Sequence, residues 1–267
     1  MLSDTEVDEV ARELHLARLG VHTVRQPSLR YPEMNVADAY AVQRRGVELD
    51  VANGRTVAGS KVGLTAVPMQ RAMGIDEPDY GVIFHDMLVP DGGEVSAAAF
   101  VYPRVEIELA YVLDRDLYGR SVQAEDVRVA ARHVCPAIEI LDSRVDMADP
   151  ETGRRRTIVD TIADNAADAG LVLGPVWTHP RSFRPRDVGA ELIINGEIVD
   201  TGLATAVLGD PAKAVAWLAN KLAEYDRGLE KGAVVLSGSL IASVPVSAGD
   251  VVEGDFGQLG RVSCRFT

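Results

Sequence analysis

The 267-residue sequence predicts an α+β protein: a helical N-terminal segment over residues 1–55, then a mixed β-sheet barrel or roll over residues 56–267. Three observations predict it. Apolar residues at helical spacing concentrate in the first fifty positions and recur in only two later stretches. Short β-rich runs dominate from residue 56 onward. Those runs do not alternate regularly with long helices, which disfavours a doubly wound sheet.

The first helix is read from Val7, Val10, Ala11, Leu14 and Leu19, with acids near its start and Gly20 weakening its end. Arg25-Gln26-Pro27-Ser28 reads as a connecting loop. A second helix runs from Val36 to Asn53, with Val36, Tyr40, Val47 and Val51 on one face. Asn35 is its N-cap and Asn53-Gly54 its end. Thr56 to Leu64 reads as a buried strand broken by glycines, followed by a short helix with Pro68 in its first turn. The further strands expected are Gly81–Val89, Val105–Leu113, Ala137–Leu141, Gly170–Leu173, Ala190–Ile194, Val234–Leu236, Asp250–Asp255 and Gly260–Phe266. Asn195-Gly196 marks a hairpin between Leu192-Ile193-Ile194 and Glu197-Ile198-Val199. Helices are expected over Ala124–Val134 and from Asp210-Pro211 to Tyr225, the latter with Val215, Leu218 and Leu222 on one side.

Composition bounds the function. A 47% hydrophobic and 25% charged chain is ordinary for a folded protein. No apolar run approaches the roughly 18 residues of a membrane helix, and the acidic start does not resemble a basic-headed signal peptide. A cytoplasmic setting is the default expectation. Cys135 and Cys264 form no CxxC pair and no zinc spacing, and read as buried free thiols. A net charge of −13 repels phosphate backbones and argues against nucleic acid as a partner. A small anionic substrate would need a local cationic centre, which a metal could supply.

Val105-Glu106-Ile107-Glu108-Leu109 alternates strictly. In a strand, Glu106 and Glu108 share one side, roughly 7 Å apart along the backbone. A half-exposed strand with a polar outer face would explain that pair equally well. Glu139, inside the apolar run Pro136-Ala137-Ile138-Glu139-Ile140-Leu141, is costly unless paired or metal-bound. If the two strands are neighbours, three carboxylates converge and require a cation. Oxygen donors without His or Cys point to Mg2+ or Mn2+ rather than zinc.

The chain has four lysines. Lys213 and Lys221 lie on the late helix and Lys231 in a turn, but Lys61 sits inside Ala58-Gly59-Ser60-Lys61-Val62-Gly63-Leu64. A lysine kept there in an arginine-preferring chain suits a tunable amine, as a general acid/base or a carboxylate clamp. A snorkelling or ion-paired lysine is the other reading. Asp79, opening the next strand, could work with it. The five histidines show no ligand spacing.

Several motifs, in order, resemble one family. They are Lys61-Val62-Gly63-Leu64-Thr65, Gly74 to Gly81 (Gly-Ile-Asp-Glu-Pro-Asp-Tyr-Gly), Pro103 to Glu108 (Pro-Arg-Val-Glu-Ile-Glu) and Pro136-Ala137-Ile138-Glu139. Asp160 to Ala166, Leu236-Ser237-Gly238-Ser239-Leu240 and the closing Gly260 to Phe266 join them. Together they resemble the 2-keto-4-pentenoate hydratase and 4-oxalocrotonate decarboxylase family of the fumarylacetoacetate hydrolase-like superfamily, over nearly the whole chain from Tyr31. The resemblance implies a barrel or roll of fumarylacetoacetate hydrolase C-terminal type and a metal-dependent carbon–oxygen lyase of aromatic or steroid meta-cleavage degradation. It implies Glu106, Glu108 and Glu139 as ligands to Mg2+ or Mn2+, and Lys61 and Asp79 as acid/base groups. Leu64, Thr65, Ser237, Gly238 and Ser239 would lie near the substrate. The expected reaction is hydration of a 2-hydroxy-2,4-dienoate to a 4-hydroxy-2-oxo acid. The alternatives are 2-oxo-3-hexenedioate (4-oxalocrotonate) decarboxylation or a non-catalytic partner subunit. A homo-oligomer, able to associate with a related decarboxylase, hydratase or aldolase, is implied by resemblance alone.

One departure bears on the substrate. Ser239-Leu240-Ile241-Ala242-Ser243-Val244-Pro245 carries neither the Arg of the Phe-Thr-Arg-Pro stretch in diacid-acting hydratases nor the Glu found in decarboxylases. An apolar lining there predicts an uncharged substrate tail.

Overall fold

The computed structural model describes residues 1–267, the side chain of Ala72 excepted. Helix α1 (Asp4–Gly20) begins at a reciprocal capping box: Ser3 Oγ accepts from the Glu6 N–H, and Glu6 Oε2 accepts from the Ser3 N–H at 2.7 Å. Its buried stripe is Val10, Ala11, Leu14 and Ala17; Leu19 falls off it and is 60% exposed. The expected loop at Arg25–Ser28 contains the start of a one-turn helix, α2 (Pro27–Arg30), because proline's fixed φ and missing N–H suit a first helical turn. Helix α3 (Val36–Ala52) has the expected Asn35 cap, in a box with Asp38, and packs against α1. Val51, expected on its buried face, is exposed.

The β-rich part follows as β1 (Val57–Gly63), α4 (Val67–Met73), β2 (Asp79–Phe84), β3 (Leu88–Val89), β4 (Gly93–Val95), β5 (Arg104–Leu113), α5 (Ala124–Ala130) and β6 (Ala131–Leu141). Then come α6 (Ile158–Ala163), β7 (Asp168–Leu173), β8 (Gly189–Ile194), β9 (Glu197–Leu203), α7 (Pro211–Leu222), β10 (Val234–Ser239), β11 (Val244–Pro245), β12 (Val251–Asp255) and β13 (Arg261–Phe266). Two expectations are corrected. The helix from Ala124 stops at Ala130, not Val134, because Ala131 pairs with Leu113 and His133 with Val112; strand pairing overrides helical spacing. The Gly81–Val89 run splits at a 3-10 turn, His85–Met87, and its second half pairs with β7. The Asn195-Gly196 hairpin forms as read, with both residues at positive φ.

The main sheet has the order β2-β1-β10-β5-β6-β7-β3, with β11 also on β5, and curls into a half-barrel. Pairs β1–β10 and β3–β7 are parallel and the other pairs of this sheet antiparallel, so the sheet is mixed. A second sheet runs β4-β13-β12-β8-β9. One apolar core joins the N-terminal helices to the sheet. Tyr40 of α3 stacks on Tyr80 of β2 at 4.5 Å, and Gln43 donates to the carbonyls of Tyr80 and Ile162. No helix among the described residues is long and apolar enough to cross a membrane.

Residues 142–157, between β6 and α6, are held from the N-terminal side. Val24 exchanges backbone hydrogen bonds with Arg144 and Asp146. Gln26 donates to the carbonyls of Asp146 and Arg154, and Arg25 pairs with Asp149. Fully buried Asp160 accepts from the N–H and hydroxyl of both Ser28 and Thr157 at 2.7–2.9 Å. Asp160→Ala strands those donors and should cost about 3 kcal/mol, about 10 °C of melting temperature; a calorimetric loss under 3 °C would contradict this reading.

Candidate active site

Cross-strand partners share a face of a sheet, so the register builds the site. Glu106 stands opposite Glu139, and Glu108 opposite Ala137. Ala110, on the face of Glu106 and Glu108, pairs with Leu236; Leu236 pairs with Lys61, and Lys61 with Gly81. Asp79, two residues before Gly81, joins them. Five predicted residues thus meet on one face at one end of the sheet. Ile83, Ala110, Cys135, Ala137, Leu171 and Leu236 form a buried apolar floor beneath them. The other face of β5, with Val105, Ile107 and Leu109, is buried in the main core. A polar outer face is therefore excluded: Glu108 and Glu139 are 0% and 1% exposed, and Glu106 is half-buried.

One carboxylate oxygen from each of Glu106, Glu108 and Glu139 lies within 4.8 Å of the others, the only such cluster among the described residues. Glu108 Oε2 accepts from the Gly238 N–H at 2.8 Å. Glu108 Oε1 and Glu139 Oε1 are buried without a hydrogen-bond partner, and the latter lies 3.4 Å from Lys61 Nζ. Burial, reinforced by Glu139, pushes the Glu106 carboxyl up to about 8 and raises Glu108 well above the carboxylate range. Orphaned oxygens, mutual repulsion and an all-oxygen donor set fit a hard divalent cation.

Burial alone would lower the Lys61 pKa, but Glu139, Asp79, Asp168 and Glu106 outweigh it and hold the ammonium charged. Burial raises Asp79, and Lys61 pulls it partly back. Glycines make the room. A Cβ on Gly63 would stand 2.1 Å from Asp79 Oδ1, and one on Gly81 would stand 2.6 Å from the Asn165 carbonyl and 3.3 Å from Lys61 Cε.

The remaining expected residues divide. Leu64 is left-handed at φ 53°, its carbonyl held by Gln70; Thr65 is buried against Gly238, where any Cβ would meet its side chain at 2.5 Å. The Ser237 hydroxyl faces away and donates to the Leu109 carbonyl. Ser239 pairs opposite Glu108, its hydroxyl donating to the Ile241 carbonyl.

Sequence reasoning missed Asp168, Asn165 and two arginines. Asp168 pairs with Leu141 on the Glu139 side, buried, with both carboxylate oxygens unpartnered. The charge-cost argument applied to Glu139 could have found it at the head of the Gly170 run. Asn165 holds the β2 backbone at Val82 through both amide atoms. Arg104, from β5, donates to the hydroxyl and carbonyl of Ser243, within the uncharged segment Ser239–Pro245. Arg156, half-buried, donates from Nη1 to the Ser143 hydroxyl at 2.6 Å.

Such a site, with three converging carboxylates beside a buried lysine on a curled mixed sheet, fits the frame of a divalent-metal enzyme. Residues 51–267 match the fumarylacetoacetate (FAA) hydrolase C-terminal family, and the chain belongs to it. It is 46% identical to a 2-oxo-hept-4-ene-1,7-dioate hydratase of Escherichia coli, over 96% of each chain. It is 37% identical to a 2-hydroxyhexa-2,4-dienoate hydratase of Comamonas testosteroni, over 100% of each. The structure of 4-oxalocrotonate decarboxylase from Pseudomonas putida G7, complexed with magnesium and adipate, superposes with a TM-score of 0.94 at 33% identity, covering 100% of this chain and 99% of that one.

Glu108→Gln should abolish the thermal shift on adding Mg2+ while raising the melting temperature of metal-free protein, since one repelling charge is gone; an unaltered shift would reject the ligand assignment. With its folded pKa raised from 4.5 to about 8, Glu106 makes the native state hold more protons than the unfolded chain in that window. Metal-free protein should therefore lose stability as pH rises from 4.5 to 8, and Mg2+ should flatten the profile. Gly63→Ala should displace Asp79 and lower turnover by about 100-fold or more with the fold retained by circular dichroism.

Proposed function

We propose that the chain is a metal-dependent hydratase adding water to a 2-hydroxy-2,4-dienoate to give a 4-hydroxy-2-oxo acid. The observation that carries this reading is the meeting of Glu106, Glu108 and Glu139 with Lys61 and Asp79 on one buried face. Its relationship to dienoate hydratases supports the substrate class.

Glu106, Glu108 and Glu139 would hold Mg2+ or Mn2+, which when bound supplies Lewis acidity toward a substrate carboxylate and C2 oxygen. Lys61, kept cationic beside Glu139, and Asp79, raised by burial, move the proton from the C2 hydroxyl to C5, leaving a conjugated 2-oxo-3-enoate. The pair then takes a proton from water as its oxygen joins C4, and the proton returns at C3. The backbone near Leu64-Thr65 and Gly238-Ser239 lines the pocket, and the apolar floor keeps bulk water out.

In this proposal the enzyme acts in the cytoplasm as a homo-oligomer able to associate with a related decarboxylase, hydratase or aldolase. Exposed Ile198, Val199 and Leu203 on the edge strand β9 support self-association; a monomer by analytical ultracentrifugation would reject it.

Lys61→Met should lower kcat on 2-hydroxypentadienoate by about 100- to 10,000-fold while leaving the Mg2+ thermal shift in place. Oxygen-18 from labelled water should appear at C4 of the product. Release of CO2 from 2-oxo-3-hexenedioate without hydration of any dienoate would replace the hydratase with the decarboxylase. Inactivity on both would favour a partner subunit.

A further inference from the structure

A cavity of about 300 Å3 lies between the N-terminal helices and the half-barrel. Exposed Val21, Asp86 and Ala99 form its mouth, and Leu14 of α1, Val42 and Gly46 of α3, Phe84 and Phe100 stand along its walls. Its inner end is made by Asp164, Asn165, Asp168 and Ala169, of which Asp164 and Asp168 are buried. The cavity thus runs from the surface to the segment that leads into β7.

That segment is where the wall of the half-barrel is irregular. Gly170 pairs with Ile140 and Asp168 with Leu141, so Ala169 is an extra residue, a bulge that interrupts the ladder. Just before it, Asn165, Ala166 and Ala167 are left-handed, and the Asn165 side chain, not a strand, bonds to β2 at Val82. Two of these cavity residues also face the site. Asp168 stands on the Glu139 side of the sheet with both carboxylate oxygens buried and unpartnered. The Asn165 carbonyl borders the space before Gly81, where a Cβ would stand 2.6 Å from it and 3.3 Å from Lys61 Cε. Asn165 and Asp168 therefore have the cavity on one side and the reacting groups on the other, while the floor of the site is apolar.

Gly46 points the same way. It lies in the interior of α3, where glycine costs about 1 kcal/mol relative to alanine. Packing does not require it: its backbone is helical, and among the described residues no atom lies within 4 Å of where its Cβ would stand. Its missing side chain keeps the cavity open. At about 30 Å3 per molecule the space admits a file of waters, and Asp168 and Asn165 supply the polar partners that buried water needs.

We propose that this cavity is the entry route for the water that hydration consumes, with Asp168 and Asn165 as the last polar groups before Lys61 and Asp79. The proposal rests on the hydratase reading and adds the path of its second substrate. A substrate held at the carboxylate cluster covers the front of the site, and the apolar floor closes it beneath. Water positioned by Asp168 and Asn165 gives one proton to the acid/base pair as its oxygen bonds to C4, and that proton returns at C3.

The two halves of the reaction can be separated, because moving a proton from the C2 hydroxyl to C5 consumes no water and bond formation at C4 does. Gly46→Trp fills the cavity from α3, Ala99→Trp narrows its mouth, and Gly46→Ala leaves it open. With 2-hydroxypentadienoate and Mg2+, both Trp variants should form the 2-oxo-3-enoate within about twofold of the wild-type rate yet hydrate it about 10-fold or more slowly, so that it accumulates, while Gly46→Ala should match wild type. Equal loss of both steps, or no loss of hydration in either Trp variant, would overturn the proposal. A high-resolution crystal structure of Mg2+-loaded protein with unreactive 2-oxopentanoate should show ordered water from Gly46 to Asp168, displaced in Gly46→Trp. A dry cavity in protein that hydrates the dienoate would sink the route and leave the hydratase reading standing. If wild-type protein hydrates no dienoate yet holds that water file, and Gly46→Trp displaces it, the hydratase reading fails and the hydrated passage stands. Melting curves with and without Mg2+ confirm that the variants are folded.

Discussion

Glu139 lies where two opposing demands meet. On one side its Oε1 is 3.4 Å from the Lys61 ammonium; on the other it belongs to a trio of carboxylates within 4.8 Å of one another. At that range, with an effective dielectric near 20, each pair of unit charges is worth about 4 kcal/mol. One lysine cannot balance Glu106, Glu108, Glu139, Asp79 and Asp168 together. The fold tolerates the arrangement because it is rigid around it: β5 and β6 are buried on both faces, the floor is apolar, and glycines at 63 and 81 admit the lysine and aspartate side by side. A divalent ion held by the three glutamates would complete the balance, and the repulsion among their carboxylates would become affinity for the ion.

The part of this legible in the sequence was the part governed by local periodicity and by the cost of burying charge. Strict alternation placed Glu106 and Glu108 on one side, and an acid inside Ala137-Ile138-Glu139-Ile140 was anomalous wherever the strand went. Nothing local announced that Glu106 would stand opposite Glu139; that depends on register, a long-range property. The boundary at Ala131 was lost for the same reason. The arginine bonded to Ser243 was not legible from the uncharged segment Ser239 to Pro245 for the same reason, since it arrives from β5.

The stretch from Asp160 to Ala166, one of the motifs that suggested the family, turns out to build rather than react. Asp160 gathers donors from two chain segments, Asp164 holds Arg144, and Asn165 acts as a surrogate strand partner for Val82. It fixes the left-handed turn of Asn165, Ala166 and Ala167 behind Gly81. A shared motif can therefore mark a common frame without touching the chemistry.

Residues 142–157, which follow β6 directly, are tethered to residues 23–28. Exchanges in that stretch alter the connection between β6 and α6 without changing a strand residue. The N-terminal segment thus acts as the mounting for the connection that leads from β6 into α6.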